Sequence, residues 1–497
     1  MTGRAARWTG EGVRVDPGLR RLVLGTLLAA YPGPVPPDWA VGLVADGLAG
    51  HVLFGRNVHT PEQVAASTAA LRAARADVLV AIDEEGGDVT RLAHATGSPY
   101  PGNAALGVVD DPTLTRRVHE AIGSELARLG IGVNLAPTVD VNTADDNPVI
   151  GTRSFGADPA RVAAHSAAAV LGLQAAGVAA CAKHFPGHGA TVVDSHHELP
   201  TVDVSPAVLR ERDLPPFAAV VAAGSRAVMT AHIRVPRLTG DDPATFSRAA
   251  LVDLLRGEYG FTGTLVTDAL EMRGAALAAG GIGPGAVRAL AAGADLLCLG
   301  ARVDAALVER VVGEVVDALT DGRLDRARVE QAAARTAALA APVPATAAAP
   351  EPDLGYAAAR RAVRVEGTVA GLADPLVVQV HAASTVAEGR VPWGLGPHLA
   401  DAEQVRVVAA DADPAALRQL AGDRPIVLVG RHLHRVPGGS ALVEALAATG
   451  PVTVVELGWP GGWRPSGVRA FVTTYGASHA NARAAAEVLG LATDRGR

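Results

Sequence analysis

Short apolar runs alternate with longer helical patterns through the first 340 residues of this 497-residue chain. Runs that are apolar at every position are typical of parallel strands covered on both faces. They lie at residues 51–54, 78–83, 132–141, 178–185, 227–233, 264–270 and 295–299. Helical patterns separate them, for example at residues 61–76, 114–129, 160–176 and 206–223. Seven or eight such units predict an α/β fold, a TIM-like (β/α)8 barrel, with a doubly wound open sheet as the alternative.

The segment at residues 341–353, APVPATAAAPEPD, is rich in proline and alanine and has no apolar periodicity. These features predict a linker between a barrel at residues 1–340 and a smaller unit at residues 354–497. In the second unit, apolar runs appear at residues 376–380, 405–410, 426–429, 452–457 and 470–474. Helical stretches lie between several of them, so we expect a doubly wound α/β sandwich domain.

The charge and the cysteine content indicate which partners and which cellular compartment to expect. The chain carries 44 basic and 51 acidic residues, and no basic run, so nucleic acid and anionic membrane are not expected partners. Cys181 and Cys298 both lie in apolar runs, which favours free thiols in a reducing compartment over a single bridge. The apolar run at residues 22–31 is short, contains Gly25 and precedes a proline-rich stretch, unlike a signal peptide or a membrane span. We therefore expect a cytoplasmic protein.

One loop contains four histidines within fourteen residues, in the sequence AKHFPGHGATVVDSHHELP at residues 182–200. Zinc binding is one interpretation, but the histidines lack a helical i,i+4 pair with a companion carboxylate. An ordinary polar loop is a second interpretation, and an active-site loop is the third. Asp194 and His196 are two residues apart, so the carboxylate could hold one ring nitrogen and leave the other to transfer a proton.

Four further polar segments follow predicted strands. Asp268 ends one strand, although aspartate there could also cap a helix. The segment VAIDEEGGDVTRL at residues 80–92 could bind a cation or a hydroxyl-rich ligand, or form a solvated turn. The other candidates are Asp140, Asn142 and Arg153 after one strand and His232 after another. Because the carboxyl ends of barrel strands meet at one mouth, these segments together predict a pocket.

These motifs resemble glycoside hydrolase family 3, and in particular its β-N-acetylglucosaminidase branch. The histidine loop is similar to that branch's KHFPGHG, DSH and following proline, at residues 183–189, 194–196 and 200. Similar matches to D-x-E-G-G…R-L, N-P-x-I-G-x-R-S-F, A-H-I and S/T-D-x-L-x-M lie at residues 83–92, 147–155, 231–233 and 267–272. The resemblance runs in order through roughly residues 25–299.

The resemblance implies a role for each matched residue. Asp268 is implied as the nucleophile, and His196 as the acid/base that Asp194 orients. The groups implied to hold the terminal sugar's hydroxyls are Asp83, Arg91, Arg153, Lys183, His184 and, on a weaker match, His232. No metal or cofactor is implied. Two departures, Glu84 where Gln is common and Ala190 where Asp is frequent, would alter contacts at the mouth without removing a catalytic group.

The implied activity is that of a retaining exo-glycosidase that hydrolyses terminal β-linked N-acetylhexosamine (GlcNAc) through a covalent glycosyl-enzyme. An imidazole base is neutral and would not repel an anion, so a phosphorylase with phosphate as acceptor is an alternative. A β-glucosidase-type hydrolase is a second alternative, against which the histidine loop argues. The alternative from another class is an inactive sugar-binding protein. The expected partner is a small GlcNAc-containing glycoside. The sequence leaves its aglycone open between a muropeptide and a chitin-derived sugar, and peptidoglycan turnover is the expected role.

Overall fold

The first unit is a closed barrel of eight parallel strands. The computed structural model describes residues 16–196, 198–343, 345, 351–399 and 402–492. The strands are β1 Leu27–Ala29, β2 Gly50–Leu53, β3 Leu79–Ile82, β4 Val133–Asn134, β5 Ala179–Phe185, β6 Ala227–Thr230, β7 Thr264–Thr267 and β8 Leu297–Cys298. They pair in chain order, β8 pairs with β1, and a parallel bridge from Val266 to Leu296 closes the ring. The predicted barrel is confirmed, and the open sheet is not what forms.

Helices surround the barrel. They are α1 Pro17–Leu24, α2 Asp38–Asp46, α3 Pro61–Ala74, α4 Asn103–Val109, α5 Pro112–Arg128, α6 Pro159–Ala175, α7 Pro206–Val208, α8 Pro215–Ala222, α9 Pro236–Thr239, α10 Arg273–Ala279, α11 Ile282–Ala292, α12 Ala305–Thr320 and α13 Arg326–Leu339, with π-helices at Leu209–Asp213 and Ala249–Glu258. Several begin with a capping side chain followed by proline, as at Asp111, Asp158 and Ser205. The cap satisfies an orphan N–H, and proline has none to lose at the first helical position.

The strand patterns locate the barrel more closely than the helix patterns do. Each of the seven apolar runs overlaps one barrel strand, and each strand is buried along its whole length. The run at residues 132–141 gives only the two-residue β4, and the chain then continues as an irregular segment. The helix expected at residues 206–223 is instead divided into α7, a π-helix and α8. Pro215, which cannot donate a helical hydrogen bond, marks the break before α8.

No single helix in the described ranges is long and apolar enough to cross a bilayer, whereas α10 and α11 together pass the same test with an 88° bend between them. Much of α11 is buried in the layer of helices around the barrel, including Val287 and Leu290.

The second unit is one mixed sheet with helices on its faces. Its strands are β9 Arg364–Gly367, β10 Leu376–Val380, β11 Gln404–Val407, β12 Ile426–Gly430, β13 Val452–Glu456 and β14 Ala470–Thr473, and its helices are α14 Leu354–Ala362, α15 Pro414–Ala421, α16 Gly439–Ala447 and α17 His479–Val488. The strand order is β11-β10-β12-β13-β14-β9, and only β9 runs antiparallel. The five parallel strands overlap the five predicted apolar runs, with β11 beginning one residue before its run and β12 ending one residue after its run. The linker predicted at residues 341–353 falls partly outside the described residues, and its bounds stay a prediction.

Buried polar contacts hold the second unit against the mouth of the barrel. Asp88 of the barrel accepts a hydrogen bond from the Ala477 backbone N–H at 2.8 Å and pairs with Arg431 at 3.3 Å. Arg431 also pairs with Glu388 at 2.7 Å, so one buried cation lies between two carboxylates. Because these groups are desolvated, their pairing fixes where the second unit sits over the barrel.

Candidate functional site

A cleft of about 410 Å³ lies at the carboxyl ends of the barrel strands, under a loop of the second unit. Barrel residues form most of its wall, and residues 386–391 form the remainder. The predicted residues that line it are Asp83, Arg91, Arg153, Lys183, His184, His196 and Asp268. The structure therefore brings together side chains from four different strand ends, as the barrel reasoning expected.

Asp268 lies at the floor of the cleft, directly after β7. One carboxylate oxygen accepts the Ala269 backbone N–H at 2.7 Å. Burial alone would raise the pKa of Asp268, but His232, His184 and His196 more than offset it and lower the pKa to about 2. The carboxylate is therefore ionised near neutral pH, which a nucleophile requires.

His196 and Asp194 form a hydrogen-bonded pair on the loop above Asp268. An Asp194 oxygen contacts His196 Nδ1 at 2.6 Å and accepts the His196 backbone N–H at 2.9 Å. The ring is partly exposed to the cleft, with 22% of its side-chain surface accessible. This pairing leaves Nε2 for a proton transfer, since Nδ1 is held by the carboxylate.

Two cations and two carboxylates alternate along one wall of the cleft. Lys183 Nζ contacts Asp83 and Glu85 at 2.7 Å each. Arg153 forms two hydrogen bonds to Glu85, at 3.0 and 2.8 Å. Burial opposes the charge of Glu85, yet Arg153 and Lys183 hold its pKa well below the ordinary value. Asp83 is the most exposed of the four and presents a carboxylate to the cleft.

Asp140 orients the two histidines that follow Lys183. It contacts His184 Nδ1 at 2.7 Å and accepts the His188 backbone N–H, also at 2.7 Å. The Nε2 of His184 lies 3.4 Å from Arg153. Burial lowers the pKa of His188 to about 4, so this ring is neutral. The His184 ring is thus fixed by a buried carboxylate and turned toward Arg153 on the polar wall.

Arg91 connects the barrel to the second unit. Its guanidinium lies 3.9 Å from Asp83 and donates to the carbonyls of Glu388 and Ala387 at 3.1 and 2.7 Å. Its backbone N–H donates to Glu84 at 2.8 Å. Burial raises the pKa of Glu84 to about 7. Arg91 therefore faces the cleft while it fixes the loop that covers the cleft.

His232 is placed behind Asp268 and outside the lining of the cleft. Its ring is fully buried, and its nitrogens contact Thr245 Oγ1 at 2.8 Å and the Ala269 carbonyl at 3.0 Å. Both nitrogens are thus engaged by the protein. The geometry gives His232 the task of supporting the backbone beside Asp268, instead of the contact with a sugar hydroxyl that the resemblance implied.

Sequence reasoning left out two contributors to the site and the role of a third. Glu85 was part of a polar segment and Asp140 was a candidate, but only the structure shows that they pair with Arg153 and His184. The loop at residues 386–391 carries no motif, so its position over the cleft depends entirely on domain docking. Because a buried cation needs a partner, Arg153 and Lys183 were the signal that could have indicated Glu85.

In the described ranges, no three or more His, Cys, Asp or Glu residues are grouped so that they could hold an ion. The carboxylates are instead paired with Lys183, Arg153 and His184. What the arrangement offers is an ionised carboxylate, a carboxylate-held imidazole and a polar wall, which together suit displacement at an acetal carbon.

Comparisons with known proteins point to one family. Glycosyl hydrolase family 3 N terminal domain matches residues 38–339, more than half of the chain. A β-hexosaminidase A from Pseudoalteromonas piscicida is 35% identical over 339 residues, which cover 63% of this chain and 56% of that protein. A β-hexosaminidase from Chromobacterium violaceum is 40% identical over 255 residues, or 50% of this chain and 70% of that protein. The chain thus spans little more than half the length of the first relative.

One solved structure is similar over both units. It is a glycoside hydrolase family 3 β-N-acetylglucosaminidase from Paenibacillus sp. str. FPU-7, with a TM-score of 0.85 and 33% identity. The match covers 96% of this chain and 97% of that chain. The likeness therefore includes the barrel, the second sheet and their relative placement.

Proposed function

The chain belongs to glycosyl hydrolase family 3, and we propose that it is a retaining exo-glycosidase that removes terminal β-linked N-acetylglucosamine. The observation that carries the proposal is the ionised Asp268 in the same cleft as the His196–Asp194 pair. The relatives named above, β-hexosaminidases and a β-N-acetylglucosaminidase, support the choice of sugar. A catalytically inactive sugar-binding protein would not need either catalytic group.

In the first step, a carboxylate oxygen of Asp268 attacks the anomeric carbon. The bond from that carbon to the aglycone oxygen breaks, and the electron pair leaves with the oxygen. Protonated His196 gives its Nε2 proton to the departing oxygen, so the aglycone leaves as an alcohol. Asp194 stabilises the cationic ring before transfer and keeps Nδ1 protonated afterwards. The product of this step is a glycosyl ester on Asp268.

In the second step, neutral His196 takes a proton from a water molecule. The water oxygen attacks the anomeric carbon from the side that the aglycone left, and the ester bond to Asp268 breaks. Two inversions at one carbon give net retention, so the released sugar is the β anomer. The enzyme returns with Asp268 ionised and His196 protonated.

The polar wall supplies the contacts with the sugar. Asp83 and Lys183 offer an acceptor and a donor within 2.7 Å of each other, an arrangement that fits adjacent hydroxyl groups. Arg153 and His184 extend the same wall. Because these groups are already paired, they bind hydroxyls without having to rearrange, which keeps the anomeric carbon near Asp268.

The sugar specificity is tested by comparing initial rates on p-nitrophenyl β-N-acetylglucosaminide and p-nitrophenyl β-glucoside. The stereochemical outcome is tested by ¹H NMR of the sugar that is released first. We expect a clear preference for the first substrate and β product. Initial α product, or equal rates on both sugars, would contradict the proposal.

Phosphate is the alternative acceptor, because the base is an imidazole and no second carboxylate is assigned to repel an anion. We propose that water is the acceptor of this enzyme. The same assay with and without millimolar phosphate, followed by ³¹P NMR, separates the two outcomes. A sugar 1-phosphate of retained configuration would make the enzyme a phosphorylase.

We further propose that the protein works in the cytoplasm and takes part in peptidoglycan turnover. Cys181 and Cys298 are free and buried, which suits a reducing compartment. Immunoblots of fractionated cells test the location, since recovery in an extracellular fraction would refute it. Comparing kcat/KM on a muropeptide disaccharide and on a chitin disaccharide tests the role, since preference for the chitin disaccharide would refute it.

A further inference from the structure

A second cavity, of about 450 Å³, lies between the two units. The second unit contributes the segments that follow β10, β11 and β12, and the barrel contributes residues 147–152. It shares Val149, Ile150 and Glu388 with the wall of the catalytic cleft. Nothing in the mechanism above uses this cavity.

The topology of the second sheet makes this edge a typical place for a ligand. The chain passes from β10 to β11 on one side and then returns to β12 on the other side of β10. The strand order therefore reverses between β10 and β12, and their connections leave in opposite directions. In doubly wound sheets, ligands bind in the crevice outside the carboxyl ends of the strands at such a switch point.

The charges around this cavity are unevenly compensated. Arg431 lines it, but Asp88 and Glu388 already neutralise that guanidinium at 3.3 and 2.7 Å. Arg435 lines it too and donates a hydrogen bond to the Asn147 carbonyl at 3.0 Å. Among the residues that the structure describes, Arg435 forms no ion pair.

Arg435 is half-buried, so the lack of a carboxylate partner leaves its charge only partly compensated. Burial lowers the pKa of Arg435, and the nearby Asp146 opposes that change only in part. A partly desolvated guanidinium that has no carboxylate partner is an environment that an anion would stabilise.

Most of the remaining wall is apolar. Pro148, Val149 and Ile150 face the cavity from the barrel, and Val408 and Val436 face it from the second unit. A small inorganic anion would leave this surface uncovered, whereas an anion with an apolar body would cover it.

We propose that this second cavity binds a small organic anion, with its carboxylate or phosphate group on Arg435 and its apolar body against Pro148–Ile150. The proposal does not depend on which glycoside the catalytic cleft hydrolyses. Contacts lead from the cavity toward the catalytic loop. Asn147 Nδ2 donates to the His188 carbonyl at 2.9 Å, and His188 contacts Ser195, next to His196, at 3.1 Å.

The test is isothermal titration of the full-length protein with three probes that share one ring. Benzoate and phenyl phosphate carry the two anionic groups, and benzyl alcohol is the neutral control. We expect one or both anions to bind, and the one that binds more tightly identifies the group that the site takes. Absence of binding by both, or equally tight binding of benzyl alcohol, would overturn the proposal.

Three variants place the binding. Arg435→Gln removes the charge, and Ala383→Trp fills the cavity from an exposed position on its rim without changing any charge. Each should weaken anion binding by about tenfold or more, as expected for loss of a charged contact or of the space itself. Arg390→Gln removes an exposed arginine of the catalytic cleft and should leave binding unchanged. Binding that survives both cavity changes, or that is lost with Arg390→Gln, would refute the proposed location.

Discussion

Asp194→Asn keeps the shape of the side chain beside His196 and removes its negative charge. In the native loop, one carboxylate oxygen accepts from His196 Nδ1 at 2.6 Å and from the His196 backbone at 2.9 Å. An asparagine oxygen could still accept from the ring, but it would stabilise the cationic ring less. An asparagine amide could instead donate to Nδ1, which would leave the ring unable to take a proton at Nε2.

The size of the effect follows from the kind of hydrogen bond that is lost. A hydrogen bond to a charged group contributes about 1.5–3 kcal/mol, and a neutral one about 0.5–1.5 kcal/mol. For a substrate whose aglycone must be protonated, the difference of about 1–1.5 kcal/mol corresponds to a fall of about 5- to 15-fold in kcat/KM. A p-nitrophenyl glycoside needs little protonation when it departs, so its kcat/KM should fall by only about threefold or less.

The assay compares kcat/KM on N,N′-diacetylchitobiose and on p-nitrophenyl β-N-acetylglucosaminide for the native enzyme and Asp194→Asn. Asp203→Asn is the matched control, because this substitution removes the same charge from an exposed residue outside the lining of the cleft. It should leave both values unchanged. Equal losses on the two substrates for Asp194→Asn would show that the pair does not protonate the aglycone.

Three more predictions concern other parts of the site. Asp268→Ala should fold normally, as judged by circular dichroism, and keep less than about a tenth of the native rate, since no other group can form the ester. Glu85→Gln should lower the free energy of unfolding by about 3 kcal/mol or more, because it leaves a buried cation uncompensated, whereas the exposed control Glu366→Gln should change it by about 1 kcal/mol or less. The pKa of Glu85 is lower in the folded state, so the Glu85 carboxylate contributes its full stabilisation at pH values above the ordinary pKa of 4.5. In urea titrations, the difference in free energy of unfolding between the native protein and Glu85→Gln should therefore stay constant from neutral pH to about pH 5 and shrink below pH 5. Arg91→Met should raise KM more than it lowers kcat, because it releases the loop that covers the cleft, and an unchanged KM would contradict that role.

The sequence predicts which side chains face the cleft because strand ends converge in a barrel. Asp83 and Lys183 are 100 positions apart in the chain, yet their side chains meet at 2.7 Å because Asp83 follows β3 and Lys183 lies near the carboxyl end of β5. The pairing of Glu85 with Arg153 could not be predicted, because Arg153 lies on a short 3₁₀ turn after an irregular segment. Where that turn lies depends on tertiary packing and not on local periodicity.

Two strands were missed for different reasons. β1 has only three residues, and its apolar run was assessed as a targeting segment, so the pattern gave no strand signal of its own. β9 is exposed at all four positions and lies at the edge of the second sheet, so it has neither alternation nor an apolar run. Strands are recognisable in a sequence only where they bury side chains, and an exposed edge strand buries few.

The second unit should act on sugar binding more than on bond cleavage, because of which groups it holds. Its loop at residues 386–391 is fixed by Arg91, and Arg91 lies beside Asp83, the most exposed carboxylate of the sugar-facing wall. Asp268 and His196, by contrast, are held by barrel residues next to them in the chain. A shift of the second unit would therefore move Arg91, which lies beside the sugar-binding Asp83, and leave Asp268 and His196 in place. The first consequence of such a shift would be a change in KM.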